Sequence, residues 1–227
     1  MKKQAKIKST YFKAESPVEA KRLEVQARIF DELLLRELDI LELRPGMRVL
    51  DGGCGTGAVT RMIAKKVAPS NVYGVDFDSV FIDKAAQWAS DQGIDNVRFE
   101  VADITDLPYR KGFFDVSYCR LVLAHNKSAQ VIDELKRVTK KGGVVAASEY
   151  DDGTIIYYPE MPQMRKIWLD YDESEKEKGR DRFLGRKLYH IFSESGLNEI
   201  SVKLLPIYAT QQNPEMAALP FFVSTIT

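Results

Sequence analysis

The stretch from Val49 to Gly57, VLDGGCGTG, places four glycines and one carboxylate directly after a short apolar run. Glycine at such a corner permits positive φ and lets a ligand approach the backbone closely. Amide groups at the start of a following helix add partial positive charge. The stretch therefore predicts a nucleotide-type cradle. Gly53, Gly55 and Ala58 also satisfy the loose dinucleotide pattern G-x-G-x-x-A, and a tight turn without a ligand is the alternative.

Three acidic residues follow three successive predicted strands. Asp51 precedes the glycines, Asp76 ends the second strand and Asp103 lies in VADIT after the third. Asp51 suits an ammonium or a water-bridged amine and would repel a pyrophosphate, whereas Asp76 has the position of an acid that binds ribose hydroxyls. Asp103 could accept from an adenine amine. Together they indicate a ligand with a ribose, an adenine and a cationic amino-acid tail, although Asp76 and Asp103 could instead cap a helix or turn.

Alternating strands and helices must position these acids. The predicted strands are RVLDG, NVYGVD, NVRFEVAD, the start of FFDVSYCRLVL, and VVAASEY, and the predicted helices are GAVTRMIAKKV, SVFIDKAAQWASDQG and SAQVIDELKRVTKKGG, the last with Gly142 beyond its basic last turn. Strands that are apolar nearly throughout predict a parallel sheet covered on both faces. The fold class is thus α/β, a Rossmann-like, doubly wound and mostly parallel sheet with helices on both faces.

The segments on either side of this region do not continue its regular alternation of strands and helices. SPVEAKRLEVQARIFDELLLRELDIL predicts a helix with Ser16 as N-cap and Pro17 at its first position. After Tyr150 we predict two helices separated by the charged run YDESEKEKGRDR, then a strand in NEISVKLLPIYA, while NPEMAALPFFVSTIT is open between strand and helix. The predicted organisation is an N-terminal helical lid (1–42), a ligand-binding core (43–150) and C-terminal helices and strands (151–227). The last part would cover the side of the site where a second substrate, the acceptor, binds.

Composition limits the function classes. The 227 residues carry 33 basic and 33 acidic side chains, a balance that argues against general affinity for nucleic acid or an anionic membrane. No apolar run approaches a membrane span, and the basic N-terminus lacks the apolar stretch of a signal peptide. Two cysteines give neither a disulfide framework nor zinc spacing. We expect a cytoplasmic protein without a bound metal.

The motifs resemble those of the class I S-adenosylmethionine-dependent methyltransferases, in particular the small-molecule branch that includes the ubiquinone/menaquinone-biosynthesis type. VLDGGCGTG is similar to the first motif of that family, GVDFD to the second, VADITDLPY with FFDVSYCRLVLAH to the third and fourth, and ELKRVTKKGGVVAASEY to the helix and strand that follow. The resemblance covers Leu43 to Tyr150. Gly52 departs from it, because the family more often has an apolar residue there, and we expect looser packing at that point. The antiparallel seventh strand of the family must come from FFVSTIT, or the chain is shortened.

The resemblance implies a set of cofactor contacts. The backbone at Gly53 and Gly55 would border the methionine part and the ribose, and Asp76 would hold the ribose hydroxyls. The adenine would lie between Phe77 and the Asp103 region, and the methionine end would face the residues after the fourth strand and the N-terminal helix, unless that helix only packs on the sheet edge. The implied set is Asp51, Gly52, Gly53, Gly55, Asp76, Phe77, Ala102, Asp103, Ile104, Cys119, Arg120, Tyr11 and Gln26. The alternatives are that Phe77 belongs to the core, that Cys119 is a small buried hydrophobe and that Arg120 forms a surface ion pair.

Methyl transfer from a sulfonium is an in-line displacement, to which a protein contributes mainly proximity and alignment. A general base is needed only when the acceptor must lose a proton. The candidates are His125 in LVLAHNK, then Glu149 and Asp151 in SEYDD. A structural histidine and a solvated turn are the alternatives, so the sequence assigns no catalytic residue. For the charged run, a solvated helix face is the default interpretation and a mobile cover over the acceptor pocket the functional alternative.

The leading hypothesis is an enzyme that transfers a methyl group from S-adenosylmethionine to a small-molecule acceptor and releases S-adenosylhomocysteine, acting as a monomer or homodimer. An NAD-dependent oxidoreductase is the second hypothesis, against which Asp51 and Asp103 argue. A non-catalytic protein that keeps the cofactor fold for partner binding is the third.

Overall fold

The computed structural model describes residues 17–207 and 223–226. The α-helices are α1 (Pro17–Ile29), α2 (Asp31–Ile40), α3 (Ala58–Val67), α4 (Ser79–Asp91), α5 (Ser128–Val138), α6 (Pro162–Glu177) and α7 (Leu188–Glu194). The strands are β1 (Val49–Gly52), β2 (Val72–Asp76), β3 (Val97–Val101), β4 (Phe114–Arg120), β5 (Thr139–Tyr150), β6 (Val202–Leu205) and β7 (Val223–Ile226). Short 3-10 turns occur at Leu123–His125, Asp152–Thr154 and Gly185–Lys187.

These strands form one sheet in the order β3-β2-β1-β4-β5-β7-β6. The first five are parallel, and β7 runs antiparallel between β5 and β6. The predicted doubly wound, mostly parallel sheet is confirmed, and the C-terminal segment does supply the antiparallel strand. The strand order reverses between β1 and β4, and ligands of such sheets bind beyond the carboxyl ends of the strands at this point.

Helices cover both faces of the sheet. On one face, Leu50 of β1 packs in a cluster with Leu135 of α5 and Leu188 of α7. On the other face, Val49 packs in a cluster with Ile63 of α3. Val49 and Leu50 are neighbours in sequence and point to opposite faces, as residues of a strand do. Burial on both faces explains why the central strands are apolar nearly throughout.

The predicted N-terminal helix is divided in two. Pro17 begins α1 as predicted, and Ser16 lies outside the described residues. The break falls at Phe30, whose φ of −92° and ψ of 13° depart from helical values. The Phe30 side chain is buried in a cluster with Leu34 and Leu205 of the edge strand β6. Packing against the sheet edge thus redirects a chain whose local pattern is continuously helical.

The boundary between α5 and β5 also differs from the prediction. The helix ends at Val138 and does not continue toward Gly142, which lies inside β5 with a φ of 75°. Thr139 is already extended and pairs with Phe114 of β4. Its hydroxyl donates to the carbonyl of Leu135 at 2.7 Å, which satisfies one of the acceptors at the helix end. The β-branched Thr139 therefore begins β5 with no loop between the helix and the strand.

The turn after β1 depends on a close contact. Gly53 has a φ of 71°, and its N–H donates to the carbonyl of Val75 at 2.8 Å. A Cβ atom at Gly53 would lie 2.4 Å from Cγ2 of Val122, in the segment after β4. Glycine is required here by both the backbone conformation and the space that Val122 fills.

No helix within residues 17–207 is long and apolar enough to cross a membrane.

Replacing Gly53 by Ala is expected to lower the free energy of unfolding by roughly 2–4 kcal/mol. The left-handed backbone disfavours a Cβ, and the added methyl overlaps Val122, so the two costs combine. Urea unfolding followed by circular dichroism measures the change.

The Val122→Ala background separates the two costs. Removing the Val122 methyls relieves the overlap, so Gly53→Ala should then cost only the backbone part, roughly 1–2 kcal/mol. An equal cost in both backgrounds would show that the Val122 contact does not constrain the turn.

Candidate functional site

A cavity of about 460 Å³ opens at the carboxyl ends of the parallel strands, where the strand order reverses. Its lining divides into two parts. The carboxylate half includes Asp51, Gly53, Gly55, Asp76 and Asp103, together with residues of α1. The arginine half, from the segments after β4 and β5, comprises His125, Asn126, Tyr150, Tyr171, Glu175, Arg180 and Arg182.

Two buried carboxylates dominate the first half. Thr60 donates to Oδ2 of Asp51 at 2.6 Å, and the backbone N–H groups of Gly55 and Asp78 donate to Asp76 at 2.9 and 3.0 Å. The pKa of Asp51 and that of Asp76 are each raised to about 6, mainly by burial. At Asp51 the negative charge of Asp76 also contributes to this increase. Both acids thus lie where desolvation penalises their charge, and a bound cation would offset that penalty.

The segment after β3 forms the adjoining wall. Ala102, Asp103 and Ile104 line the cavity, as does Phe77 after β2. Oδ1 of Asp103 accepts from the N–H and the hydroxyl of Thr105, at 2.9 and 2.7 Å. Asp103 therefore makes the turn contact that the sequence left open as an alternative, and it does so on the cavity wall.

Arg120 lies at the end of β4 and lines the cavity. Its Nε donates to the buried carboxylate of Glu37 at 3.1 Å, which also accepts from the hydroxyl of Tyr118 at 2.7 Å. Nη2 of Arg120 and Oε1 of Glu37 are buried and have no hydrogen-bond partner among the described residues. Nη2 is therefore a donor that a ligand anion in the cavity can use.

Helix α1 closes one side of the cavity. Leu23 and Gln26 line it, and Nη1 of Arg22 donates to Oε1 of Gln26 at 2.9 Å. Both oxygens of Glu24 accept from Nη2 of Arg61 in α3, at 2.8 and 2.9 Å. This largely buried ion pair joins α1 to the helix that follows the glycine turn. Tyr11, the other predicted contact from this segment, lies outside the described residues.

Two predicted cofactor residues do not line the cavity. A Cβ at Gly52 would lie 2.6 Å from Cδ1 of Ile104, so the Ile104 side chain occupies this space and the packing is not loosened as expected. Cys119 is fully buried in the apolar cluster that contains Leu135. Side chains alternate along a strand, so Cys119 points away from the cavity while Arg120 lines it.

Two candidate bases also lie outside the cavity lining. Oε1 of Glu149 accepts from the N–H of Leu123 at 2.6 Å, and the side chain is fully buried. Asp151 accepts from Nε and Nη2 of Arg186 at 2.7 and 2.6 Å and from the N–H of Gly153 at 3.1 Å. Both carboxylates hold neighbouring backbone or side chains in place, and neither of these two candidates lines the cavity.

His125 is the candidate base that does reach the cavity. It ends the 3-10 turn that Glu149 holds through Leu123. Its pKa is lowered to about 4, mainly by burial and in addition by the positive charges of Arg180 and Arg182. The imidazole is therefore neutral at pH 7, and a protonated form is disfavoured.

The arginine half contains the residues that the sequence analysis missed. Glu175, Arg180 and Arg182 belong to the charged run, for which a solvated helix face was the default interpretation and a mobile cover over the acceptor pocket the alternative. Their side chains are only 4%, 9% and 7% exposed. Nη1 of Arg180 donates to Glu175 at 2.8 Å, and Nε of Arg182 donates to Asp152 at 2.7 Å. No local signal separates these residues from a solvated face, because their burial depends on partners elsewhere in the fold.

Comparison with known proteins agrees with this geometry. A sequence model of the family described as "Methyltransferase domain" matches residues 43–196. A demethylmenaquinone methyltransferase of Halalkalibacterium halodurans is 29% identical over 177 residues, which cover 72% of this chain and 72% of that protein. The sterol 24-C-methyltransferase ERG6B of Gibberella zeae is 32% identical over 132 residues, or 57% of this chain and 34% of that protein.

Among solved structures, a SAM dependent methyltransferase from Aquifex aeolicus superposes with a TM-score of 0.64 at 17% identity, covering 93% of this chain and 97% of that one. At this identity the likeness concerns the fold. The chain spans less than half the length of the first curated relatives that it matches.

These matches confirm the resemblance that the motifs indicated. Since the family match spans more than half of the 227 residues, the protein belongs to the methyltransferase-domain family and has the Rossmann-like fold of its S-adenosylmethionine-dependent members.

Proposed function

We propose that the protein transfers a methyl group from S-adenosylmethionine to a small-molecule acceptor. The single observation that carries this proposal is one cavity whose carboxylate half suits the cofactor and whose other half leaves space for a second molecule. The family match supports methyl transfer over the NAD-dependent alternative. The two buried acids Asp51 and Asp76, whose charges repel each other, also disfavour the pyrophosphate of a dinucleotide.

The residues present suit the proposed cofactor. Asp51 would hold its ammonium group and Asp76 its ribose hydroxyls, while the buried Nη2 of Arg120 would donate to its carboxylate. The adenine would lie against Phe77 and the wall around Asp103. When bound, the cofactor supplies a methyl group on a positively charged sulfur, which needs no further activation.

The chain itself contributes alignment and exclusion of water. We propose that α1, within residues 1–42, covers the cofactor, because its Gln26 lines the cavity and Glu24 ties the helix to Arg61. Residues 151–207 would form the acceptor side, and His125 would accept a proton where the acceptor must lose one. We expect no nucleic-acid acceptor, given the balanced charge, and a monomer or homodimer.

Incubation with S-adenosylmethionine that is tritiated in the methyl group, together with a mixed metabolite extract, tests the proposed function. We expect label in a small molecule that separates from the cofactor, and less label with the Asp76→Ala variant when the cofactor concentration is limiting. Binding of S-adenosylhomocysteine without any transfer would favour the non-catalytic hypothesis, and stronger binding of NAD than of S-adenosylhomocysteine would overturn the cofactor assignment.

Replacing Asp76 by Ala should weaken S-adenosylhomocysteine binding about 10- to 100-fold, since hydrogen bonds to a charged group contribute about 1.5–3 kcal/mol. Isothermal titration calorimetry measures the loss. Asp83→Ala, an exposed acid on α4, is the matched control and should bind normally.

Asp76 also holds the glycine turn through Gly55, so a second measurement separates the two roles. S-adenosylhomocysteine lacking the 2′-hydroxyl should bind more weakly than the natural ligand to the wild type, but equally to Asp76→Ala. A similar penalty for the deoxy ligand in both proteins would exclude Asp76 as the ribose ligand.

Cofactor binding should also depend on pH below neutrality. Asp51 and Asp76 have pKa values of about 6 in the free protein. They are ionised above that pH and take up protons as the pH falls. The ligand ammonium at Asp51 and the ribose hydroxyls at Asp76 both bind more strongly to the ionised form. Affinity should therefore be level near pH 7.5 and fall below about pH 6, by up to about tenfold per pH unit for each acid.

Asp51→Asn is the matched variant for this profile. It should bind S-adenosylhomocysteine more weakly at pH 7.5 and lose affinity less steeply as the pH falls. Wild-type affinity that stays constant from pH 7.5 to pH 5 would show that neither carboxylate binds the cofactor in its ionised form.

A further inference from the structure

We propose that Glu37 of α2 is a positioning residue, which holds the guanidinium of Arg120 where it binds the carboxylate of the cofactor. The consequence is selectivity, because a cofactor with an intact amino-acid end should bind more tightly than one that lacks the carboxylate. This inference rests on the proposed function and adds a residue of the N-terminal helices to those that determine cofactor binding.

Glu37 lies on the buried face of α2. Its side chain is fully buried, as are those of Leu34 and Leu38. Leu34, three residues before Glu37, shares this helix face and lines the cavity. A carboxylate on such an apolar face loses its hydration and needs hydrogen-bond donors within the fold. The donors that Glu37 receives therefore indicate what the residue does.

Two donors to Glu37 come from β4. Its Oε2 accepts from Nε of Arg120 at 3.1 Å and from the hydroxyl of Tyr118 at 2.7 Å. The ring of Phe30, directly before α2, adds a second contact, since its centre lies 5.7 Å from the guanidinium carbon of Arg120. The α2 segment thus contacts the guanidinium at two points, and Tyr118 holds the carboxylate in place.

The ion pair leaves part of the guanidinium unused. A side-on pair would join Nε and Nη2 of an arginine to both oxygens of one carboxylate. Here Nη2 of Arg120 and Oε1 of Glu37 are buried and have no hydrogen-bond partner among the described residues. Glu37 therefore holds the guanidinium through Nε and leaves the two N–H donors of Nη2 for a ligand.

The sheet register puts Arg120 beside the proposed site of the cofactor ammonium. Asp51 of β1 is paired with Tyr118 of β4, and Arg120 lies two residues further along β4, on the same face as Tyr118. Burial raises the pKa of Asp51, and the positive charge of Arg120 opposes that rise, so the two side chains interact electrostatically. Asp51 and Arg120 are therefore placed to bind the ammonium and the carboxylate of one amino acid.

Two ligands measure the carboxylate contact directly. S-adenosylhomocysteine and its decarboxylated analogue share the adenosine, the sulfur and the ammonium, so the ratio of their dissociation constants reports the contribution of the carboxylate. Each ligand is titrated by calorimetry into the full chain. We expect the wild type to bind S-adenosylhomocysteine about 10- to 100-fold more tightly than the analogue, as is typical of a hydrogen bond to a charged group.

Glu37→Gln removes the charge and keeps the size of the side chain. The ratio should fall to about threefold or less, because a neutral amide holds the guanidinium about half as strongly as a carboxylate does. Glu32→Gln, the same change at an exposed position of α2, is the matched control and should keep the wild-type ratio. A ratio that stays level or rises in Glu37→Gln, or an equal loss of affinity for both ligands, would overturn the proposal.

A double variant tests whether Glu37 acts through Arg120. Arg120→Gln alone should make the two dissociation constants nearly equal. Adding Glu37→Gln should then change their ratio no further, since residues that act through one contact have non-additive effects. A further change in the double variant would show that Glu37 acts independently of Arg120.

Tyr118→Phe takes the place of Glu37→Gln if that variant does not fold, as judged by thermal unfolding. It removes only the hydroxyl that holds Oε2 of Glu37, so the ratio should fall by about two- to tenfold, and an unchanged ratio would contradict the proposal. Failure of the wild type to bind either ligand would contradict the proposed function as well. Equal binding of both ligands by the wild type would leave the proposed function supported and contradict only this inference.

Discussion

The carboxylate of Glu149 holds the turn on which both halves of the cavity depend. It is fully buried at the end of β5, and its Oε1 accepts from the N–H of Leu123 at 2.6 Å. Burial raises its pKa to about 7, while backbone N–H groups of the turn draw the pKa downward. The turn carries Val122, which fills the space above Gly53, and ends at His125 in the arginine half. Glu149 therefore links the glycine turn after β1 to the arginine half of the cavity without lining the cavity itself.

Much of the fold could be predicted from the sequence because burial on both faces leaves a local pattern. β1 is buried at all four positions, and the other central strands are similarly apolar between helices of clear periodicity. The misplaced boundaries have distant causes. The helix break at Phe30 follows from packing with Leu205 of β6, and the strand at Val223–Ile226 exists through pairing with β5 and β6. Neither partner is visible in a window of local sequence.

The same distinction applies to the candidate site. Asp51, Asp76 and Asp103 could be predicted because the carboxyl ends of parallel strands meet at one edge, and all three line the cavity. Cys119 was misplaced because a single step along β4 reverses the direction of a side chain. Arg180 and Arg182 were missed because a charged run has the same composition whether it is solvated or folded inward. The contacts that bury Arg182, with Asp152 and the Tyr150 ring, join segments that are separate in sequence.

The two halves of the cavity hold their charges differently, and this difference bears on the proposed methyl transfer. Asp51 and Asp76 have no ion-pair partner among the described residues, whereas Arg180 and Arg182 are paired with Glu175 and Asp152, in an environment where charges interact more strongly than in water. Methyl transfer from a sulfonium to an anion removes one positive and one negative charge from the cavity. Transfer to a neutral amine would instead move the positive charge from the sulfur to the acceptor. The charge that the cavity must hold after the transfer therefore depends on the acceptor, whereas alignment of the sulfonium by Asp51 and Asp76 would serve either reaction.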